Sequence, residues 1–196
     1  MDKTIVIAST NNGKIKEFKA MLEKEGYRVL SLHDLPDSTE PEETGTTFQE
    51  NAVLKAKAVT DKYGLPAIAD DSGICIAALN EEPGIHSARW MGHDTSYDIK
   101  NQKIIDLLKD KKDRTCHYAC AIAWTEKDRE PVVFFDTWYG EIAQKPAGSN
   151  GFGYDPIFFL PDRGITSAEL DPSEKNRISH RAKALAKLEE WLRENR

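Results

Sequence analysis

Two carboxylates stand side by side in Ala67-Ile68-Ala69-Asp70-Asp71-Ser72-Gly73, where an apolar run ends. Strand residues alternate between faces, so one of the pair can face a cleft while the other braces the backbone or a basic neighbour. A carboxylate at the end of a buried strand suits Mg²⁺, which takes one or two carboxylates and leaves its other positions to water and phosphate. The same residues also describe a polar strand terminus followed by an Asp-Ser-Gly turn. A second stretch, Ser9-Thr10-Asn11-Asn12-Gly13-Lys14, lies between an apolar run and the helical spacing of Ile15, Phe18 and Leu22. Strand, polar loop and helix start in that order aim backbone N–H groups and the positive dipole end at an anion. Lys14 adds a mobile cation. The stretch is not a Walker A sequence, and an Asn-capped helix that opens on a surface lysine fits it equally.

Three more segments carry usable chemistry. Asn51 and Lys55 are four residues apart on one helix and share a face, although Lys55 also reads as an ordinary surface lysine. Gly148-Ser149-Asn150-Gly151-Phe152-Gly153-Tyr154-Asp155-Pro156 interleaves glycines with aromatic residues. Such a backbone can approach a ligand closely, and the Phe152 ring can stack on a base, or the segment can be an aromatic turn. Lys175, Ser179, His180 and Arg181 fall near the start of a helical region, where His-Arg can equally be a polar face.

The elements that must position these residues follow from pattern. Thr4–Ala8 is apolar and β-branched, which predicts a buried first strand, and Tyr27–Leu30 a second. Ser31 to Gly45 is a long polar, acidic segment with Pro36 and Pro41, a solvated loop of a length that is often functional. Thr47-Phe48-Gln49-Glu50 has the capping-box pattern and opens a helix to about Tyr63. Asp70 and Asp71 close the next strand, and Ile74–Leu79 forms another. Ser96 to Lys109 is helical by the spacing of Ile104, Ile105 and Leu108. Thr115–Thr125 and Val132–Ile142 are two long strands around a charged turn. His117 and Trp124 read as core or sheet-face residues rather than ligands. Ile178, Ala182, Leu185, Leu188 and Leu192 form the apolar stripe of the last helical region.

Composition narrows the function classes. At 196 residues the chain has the length of one domain, with room for two lobes. A net charge of −6 argues against a polyanionic duplex as a general partner, so an anionic ligand must find locally placed cations and N–H groups. No apolar run approaches membrane-spanning length, and Met1-Asp2-Lys3-Thr4 shows no signal-peptide pattern. Cys75, Cys116 and Cys120 lack metal-type spacing with histidines, which predicts reduced, buried thiols in a cytosolic protein.

Seven motifs occur in order: Ser9 to Lys14, Glu42-Glu43-Thr44-Gly45, Thr47 to Ala52, Ala69 to Gly73, Pro83-Gly84-Ile85-His86-Ser87-Ala88-Arg89, Gly151 to Pro156 and Ile178 to Arg181. Together they resemble the inosine/xanthosine triphosphate pyrophosphatases, house-cleaning enzymes that remove deaminated purine nucleotides. The match spans nearly the whole chain. The resemblance implies an α/β fold: one bilobed domain over residues 1–196, with an elongated mixed sheet, flanking helices and two lobes around a central cleft, related to the Maf proteins. It implies hydrolysis of ITP, dITP or XTP between the α- and β-phosphates and a homodimer; the thiols, the charge and the lack of long apolar runs add the expectation of a cytoplasmic location without nucleic-acid or membrane partners. Ser9, Thr10, Asn11, Asn12, Gly13 and Lys14 would form the triphosphate loop, with Lys14 and Lys55 neutralising phosphate. Glu42 and Asp71 would hold Mg²⁺, and Asp71 would accept the proton of the attacking water. Ser72 would touch substrate, while Phe152, Gly153, Tyr154, Asp155, Lys175, His180 and Arg181 would surround the base.

Base choice is then a question of donors. Hypoxanthine and xanthine carry a keto oxygen where adenine carries an amino group, so a donor such as Arg181 meets an acceptor in one case and a second donor in the other. A buried mismatch of that kind costs roughly 1–3 kcal/mol. Asn150 stands where the family usually has glycine, and asparagine tolerates the left-handed region better than most residues. The expectation is a preserved loop. A Maf-like enzyme acting on other bases and a nucleotide sensor without hydrolysis are the competing readings.

Overall fold

The computed structural model describes residues 3–195, so Met1 and Asp2 of the stretch that shows no signal-peptide pattern lie outside the described residues. In chain order come β1 (Lys3–Ile7), α1 (Asn12–Lys24), β2 (Tyr27–Ser31), α2 (Phe48–Tyr63), β3 (Ala67–Ile76), β4 (Glu82–Pro83) and α3 (Tyr97–Leu107). They are followed by β5 (Thr115–Thr125), β6 (Val132–Ile142), β7 (Phe158–Leu160), β8 (Ile165–Thr166), α4 (Pro172–Ile178) and α5 (His180–Glu194). The chain divides into two compact units. One holds the chain up to Asp71, residues 121–135 and Ala184 onward; the other holds residues 72–120 and 136–183.

In the first unit, β1 pairs in parallel with β2 from Lys3↔Tyr27 to Ile7↔Ser31, and with β3 at Val6↔Ala67 and Ile7↔Ile68. Parallel pairs need long crossovers, and α1 and α2 supply them. The strand order here is β2-β1-β3-β5-β6. Ile5, Val6, Ile7, Ala67 and Ile68 are almost wholly buried, as expected of parallel strands covered on both faces. Helix α1 buries Phe18 and Leu22, and α2 buries Ala52, Ala56 and Val59. The far end of α5 brings Trp191 against Trp124 and Phe134, at ring separations of 5.6 and 5.8 Å.

The second unit continues the long strands and adds antiparallel pairs: β3 with β4, β6 with β7, and β7 with β8. Its core gathers Ile74, Ile76, Ile104, Leu108, Tyr118, Trp138, Ile157 and Phe158.

Three expectations about elements change. First, β3 does not stop at the carboxylates: it runs unbroken from Ala67 to Ile76, so Ser72-Gly73 is strand rather than turn. Both flanking runs are buried, so the two carboxylates fall inside the strand rather than at its end. Second, the last helical region is two helices. Ser179 ends α4 with an extended backbone and accepts from the Ala182 N–H at 3.1 Å, so it caps α5. Third, Thr47 does cap α2, through the Glu50 N–H at 3.1 Å, but the Glu50 carboxylate reaches back to the N–H and hydroxyl of Thr46. Cys75, Cys116 and Cys120 are all buried thiols outside any disulfide. Among the described residues, no helix is long and apolar enough to cross a membrane.

Candidate active site

In the first unit the loop after β1 is built around Asn11. Its side chain accepts from the Lys14 N–H at 3.1 Å, and its own N–H donates to Ser9 Oγ at 3.0 Å. Thr10 turns both its N–H and its hydroxyl toward Glu40 Oε1, at 2.7 and 2.8 Å. A carboxylate therefore already sits where the loop offers donors to an anion. Burial raises the Glu40 pKa, but the two Thr10 hydrogen bonds, with Lys55 and Lys14, bring it below the usual glutamate value.

Behind the loop, charges crowd together. Lys14 Nζ lies 3.1 Å from Asp70 Oδ1. Lys55 is buried rather than on the surface, with Nζ 3.0 Å from Glu43 Oε1 and 3.8 Å from Asp71 Oδ1. Burial alone would lower the Lys55 pKa; Asp70, Asp71 and Glu43 together raise it, so the ammonium stays charged. For Asp71 the balance falls the other way. Burial, with Glu43 and Asp70 as like charges, outweighs Lys55 and Lys14 and lifts its pKa to about 6. Asp71 Oδ2 and Asn51 Nδ2 are buried without a hydrogen-bond partner among the described residues.

Asn51 has a second duty. Its Oδ1 accepts from the Gly45 N–H at 2.8 Å. A Cβ on Gly45 would come within 2.7 Å of that oxygen and 2.8 Å of Glu50 Cβ, so only glycine lets the acidic loop close onto α2.

The second unit holds the aromatic segment. Asp155 is its anchor, 2% exposed. Oδ2 accepts from the Phe152 N–H at 3.0 Å and from Lys175, while Oδ1 accepts from Tyr118 OH at 3.1 Å and Ser167 Oγ at 2.8 Å. Gly151 has φ +72°, and a Cβ there would meet Asp155 Oδ2 at 2.1 Å. Tyr154 donates its hydroxyl to the Ser87 carbonyl, and Asn101 Nδ2 donates to the Gly153 carbonyl at 3.1 Å. These bonds leave the Phe152 ring outside, 63% exposed, with Lys175 Nζ 5.0 Å from its centroid. The His180 ring is buried and stacks on Tyr118 at 4.7 Å and 17°. Burial, then the neighbouring Asp155 carboxylate, holds the Tyr118 phenol well above its ordinary pKa, so it stays protonated and donates.

The sequence profile of the Ham1 family matches residues 5–191. The chain belongs to the Ham1 family. It is 50% identical to a dITP/XTP pyrophosphatase of Geobacillus kaustophilus, over 98% of this chain and 95% of that one. It is 48% identical to a dITP/XTP pyrophosphatase of Nitrosomonas europaea, over 97% and 95%. Among solved structures, the Staphylococcus aureus Ham1 protein superposes with a TM-score of 0.93 at 42% identity, covering 99% of this chain and 100% of that one. A HAM1 protein from Coxiella burnetii gives 0.92 at 44%, with the same coverage. The mixed α/β sheet with flanking helices is thus the Ham1 fold.

Within this Ham1 chain the expected residues fall into two groups. Ser9, Thr10, Asn11, Asn12, Gly13, Lys14, Lys55 and Asp71 belong to the first unit, and Phe152, Gly153, Tyr154, Asp155, Lys175, His180 and Arg181 to the second. Ser72 follows Asp71 on β3 and is half-buried. Glu42, expected beside Asp71, is exposed; Glu43 is the member of that acidic loop that acts on Asp71 and bridges to Lys55. Tyr154 and Asp155 spend their polar atoms inside the protein, which makes them supports of the loop. Asn150 has no positive φ. It stays in place by donating its N–H to the Ala168 carbonyl and its side chain to the Leu170 carbonyl, at 2.9 and 3.0 Å. Sequence reasoning missed Glu40, Tyr118 and Asn101. Only the alternation of β5, which sets Tyr118 and His117 on opposite faces, could have pointed to Tyr118.

Proposed function

We propose that this chain is a nucleoside triphosphate pyrophosphatase that hydrolyses dITP, XTP and ITP between the α- and β-phosphates, releasing monophosphate and pyrophosphate. The observation that carries the reading is the cluster of Asp70, Asp71 and Lys55, all buried, with the half-buried Glu43 and Lys14, set beside the donor loop of α1. The names of the close relatives supply the substrate class.

The donor set fits Mg²⁺. Hard oxygen ligands are what that ion takes, and the buried Asp71 Oδ2 has no other partner among the described residues. Asp71 and Glu43 would hold the ion, which when bound supplies charge neutralisation for the polyphosphate. The chain's own groups do the rest. Lys14 and Lys55 bind phosphate oxygens, and the Thr10 and Asn11 region offers N–H donors once Glu40 yields its place. Phosphoryl chemistry asks for positioning and charge more than for a covalent nucleophile. Asp71, with a pKa of about 6, is ionised at neutral pH yet basic enough to take a proton from an attacking water. In the second unit, the exposed Phe152 ring offers a stacking face and Lys175, His180 and Arg181 the donors for a keto base. A homodimer and a cytoplasmic site of action belong to the same proposal and rest on the resemblance.

The test is pyrophosphate release across a panel of dITP, XTP, ITP, ATP, dTTP and UTP with and without Mg²⁺. Rapid turnover of the first three, dependent on the metal, is expected. Rapid turnover of dTTP or UTP with inert dITP would overturn the substrate class.

A further inference from the structure

The second unit brings a softer donor set together, away from any role in the proposal above. Cys75 lies on β3, His117 on β5, and Glu81 in the turn that leaves β3; one ligand atom of each lies within 4.8 Å of the other two. His117 Nδ1 and Glu81 Oε2 are 3.8 Å apart. A tetrahedral zinc with bonds of about 2.0–2.3 Å keeps its ligands about 3.3–3.8 Å apart. Closing on an ion therefore asks for a shift of about 1 Å, and the Glu81 side chain, 58% exposed, is free to make it.

The rest of the trio is held. Cys75 is buried. The His117 ring leans on Tyr139 at 5.0 Å and 35°. Asn80 and Glu81 are consecutive non-glycine residues in the left-handed region, with φ 54° and 67°. That uncommon turn is pinned by N–H bonds from Asn80 to the Ala77 carbonyl at 3.2 Å and from Glu81 to the Ile76 carbonyl at 3.0 Å. It returns the chain so that a carboxylate meets an imidazole and a thiol.

We propose that Cys75, Glu81 and His117 form a binding site for a borderline-soft divalent cation of the Zn²⁺ class. Sulfur and imidazole donors select such an ion over Mg²⁺, and three protein ligands leave a fourth position to water. On binding, the Cys75 S–H bond breaks, its proton goes to solvent and a thiolate–metal bond forms; no oxidant or reductant is needed. Tyr118, next to His117 on β5, takes the opposite face and there stacks on His180 and donates to Asp155. An occupied site would brace from behind the strand that carries Tyr118. This inference stands whether or not the catalytic reading holds.

Cobalt serves as the spectroscopic probe. Metal-free protein is titrated with Co²⁺ while excess Mg²⁺ fills carboxylate sites. A thiolate-to-cobalt charge-transfer band should rise to saturation at one equivalent, vanish on adding Zn²⁺, and be absent in Cys75→Ala. His117→Gln should weaken cobalt binding at least about tenfold, by analogy with the effect of lesser changes around metal sites. No band in folded wild-type protein overturns the site. So does a band that persists in Cys75→Ala, since Cys116 and Cys120 would then be its source. Should Cys75→Ala fail to fold, His117→Gln carries the test, because its ring is partly exposed and unchanged affinity there also overturns the site.

Discussion

Asp71 in the first unit and Asp155 in the second are both buried carboxylates, 5% and 2% exposed, and they keep opposite company. Asp155 receives four donors: the Phe152 N–H, Lys175, Tyr118 and Ser167. Asp71 has Lys55 at 3.8 Å, two acidic neighbours acting against it, and one oxygen with no hydrogen bond among the described residues. A buried carboxylate with all its lone pairs answered fixes local structure. One that is crowded by like charge and short of donors raises its own pKa and offers a place to a cation or a proton. The first unit thus keeps one carboxylate oxygen, Asp71 Oδ2, available, whereas the second uses Asp155 to shape a loop that presents Phe152.

The contrast can be broken most sharply by exchanging one carboxylate for its amide. Asp71→Asn should lower pyrophosphate release by roughly 10³-fold, in the range for loss of a general base, with the fold retained. A full rate in this variant would remove Asp71 from the chemistry. Asp155→Ala should act on stability instead. It strands Lys175, leaves the Tyr118 hydroxyl and the Phe152 N–H without their acceptor, and leaves Ser167 only the residue 155 carbonyl, at a cost of about 3 kcal/mol, read from the shift of a urea midpoint. Unchanged stability would mean that the four bonds do not hold the loop.

The pH dependence separates the two carboxylates further. The Asp71 pKa is 3.8 unperturbed and about 6 in the folded chain. At pH below 3.8 both folded and unfolded chains hold the proton, and the group has no effect. Between those values the folded chain keeps a proton that the unfolded chain has released, so stability falls as pH rises. Above about 6 the full penalty remains, of order 2–3 kcal/mol from the size of the shift. Metal-free Asp71→Asn should therefore be more stable than wild type at pH 8 and lose that advantage by pH 4. Thermal unfolding in chelator at the two pH values measures it, and an advantage that grows on acidification would reverse the argument.

Smaller effects sharpen the division of labour between phosphate and base. Lys14→Ala should weaken triphosphate binding about tenfold more than monophosphate binding, a difference of ~1.4 kcal/mol in competition titrations. Equal losses would take Lys14 out of phosphate recognition. Arg181→Ala should reduce the ITP-over-ATP preference by several-fold to tenfold, the value of about one mismatched donor. An unchanged ratio of kcat/KM would move base choice to another group.

What the sequence determined by itself is everything that local spacing encodes. The limits of β5 and β6 agree with the expected Thr115–Thr125 and Val132–Ile142, and Asn11, Thr47 and Ser96 cap the helices that their side chains announce. The order of short motifs was enough to place the chain beside its relatives. Tertiary structure alone decided which acidic residue of a three-glutamate loop serves which partner: Glu40 answers Thr10, Glu43 answers Lys55, and Glu42 stays exposed. It also decided that β3 runs through Asp70-Asp71-Ser72-Gly73, and that Asp155 turns inward. The reason is one of range. Caps and periodicity depend on residues three or four apart, whereas the fate of a carboxylate depends on desolvation and on charges that arrive from well outside that window, as Lys175 does at Asp155 and Lys14 at Asp70, which no local pattern records.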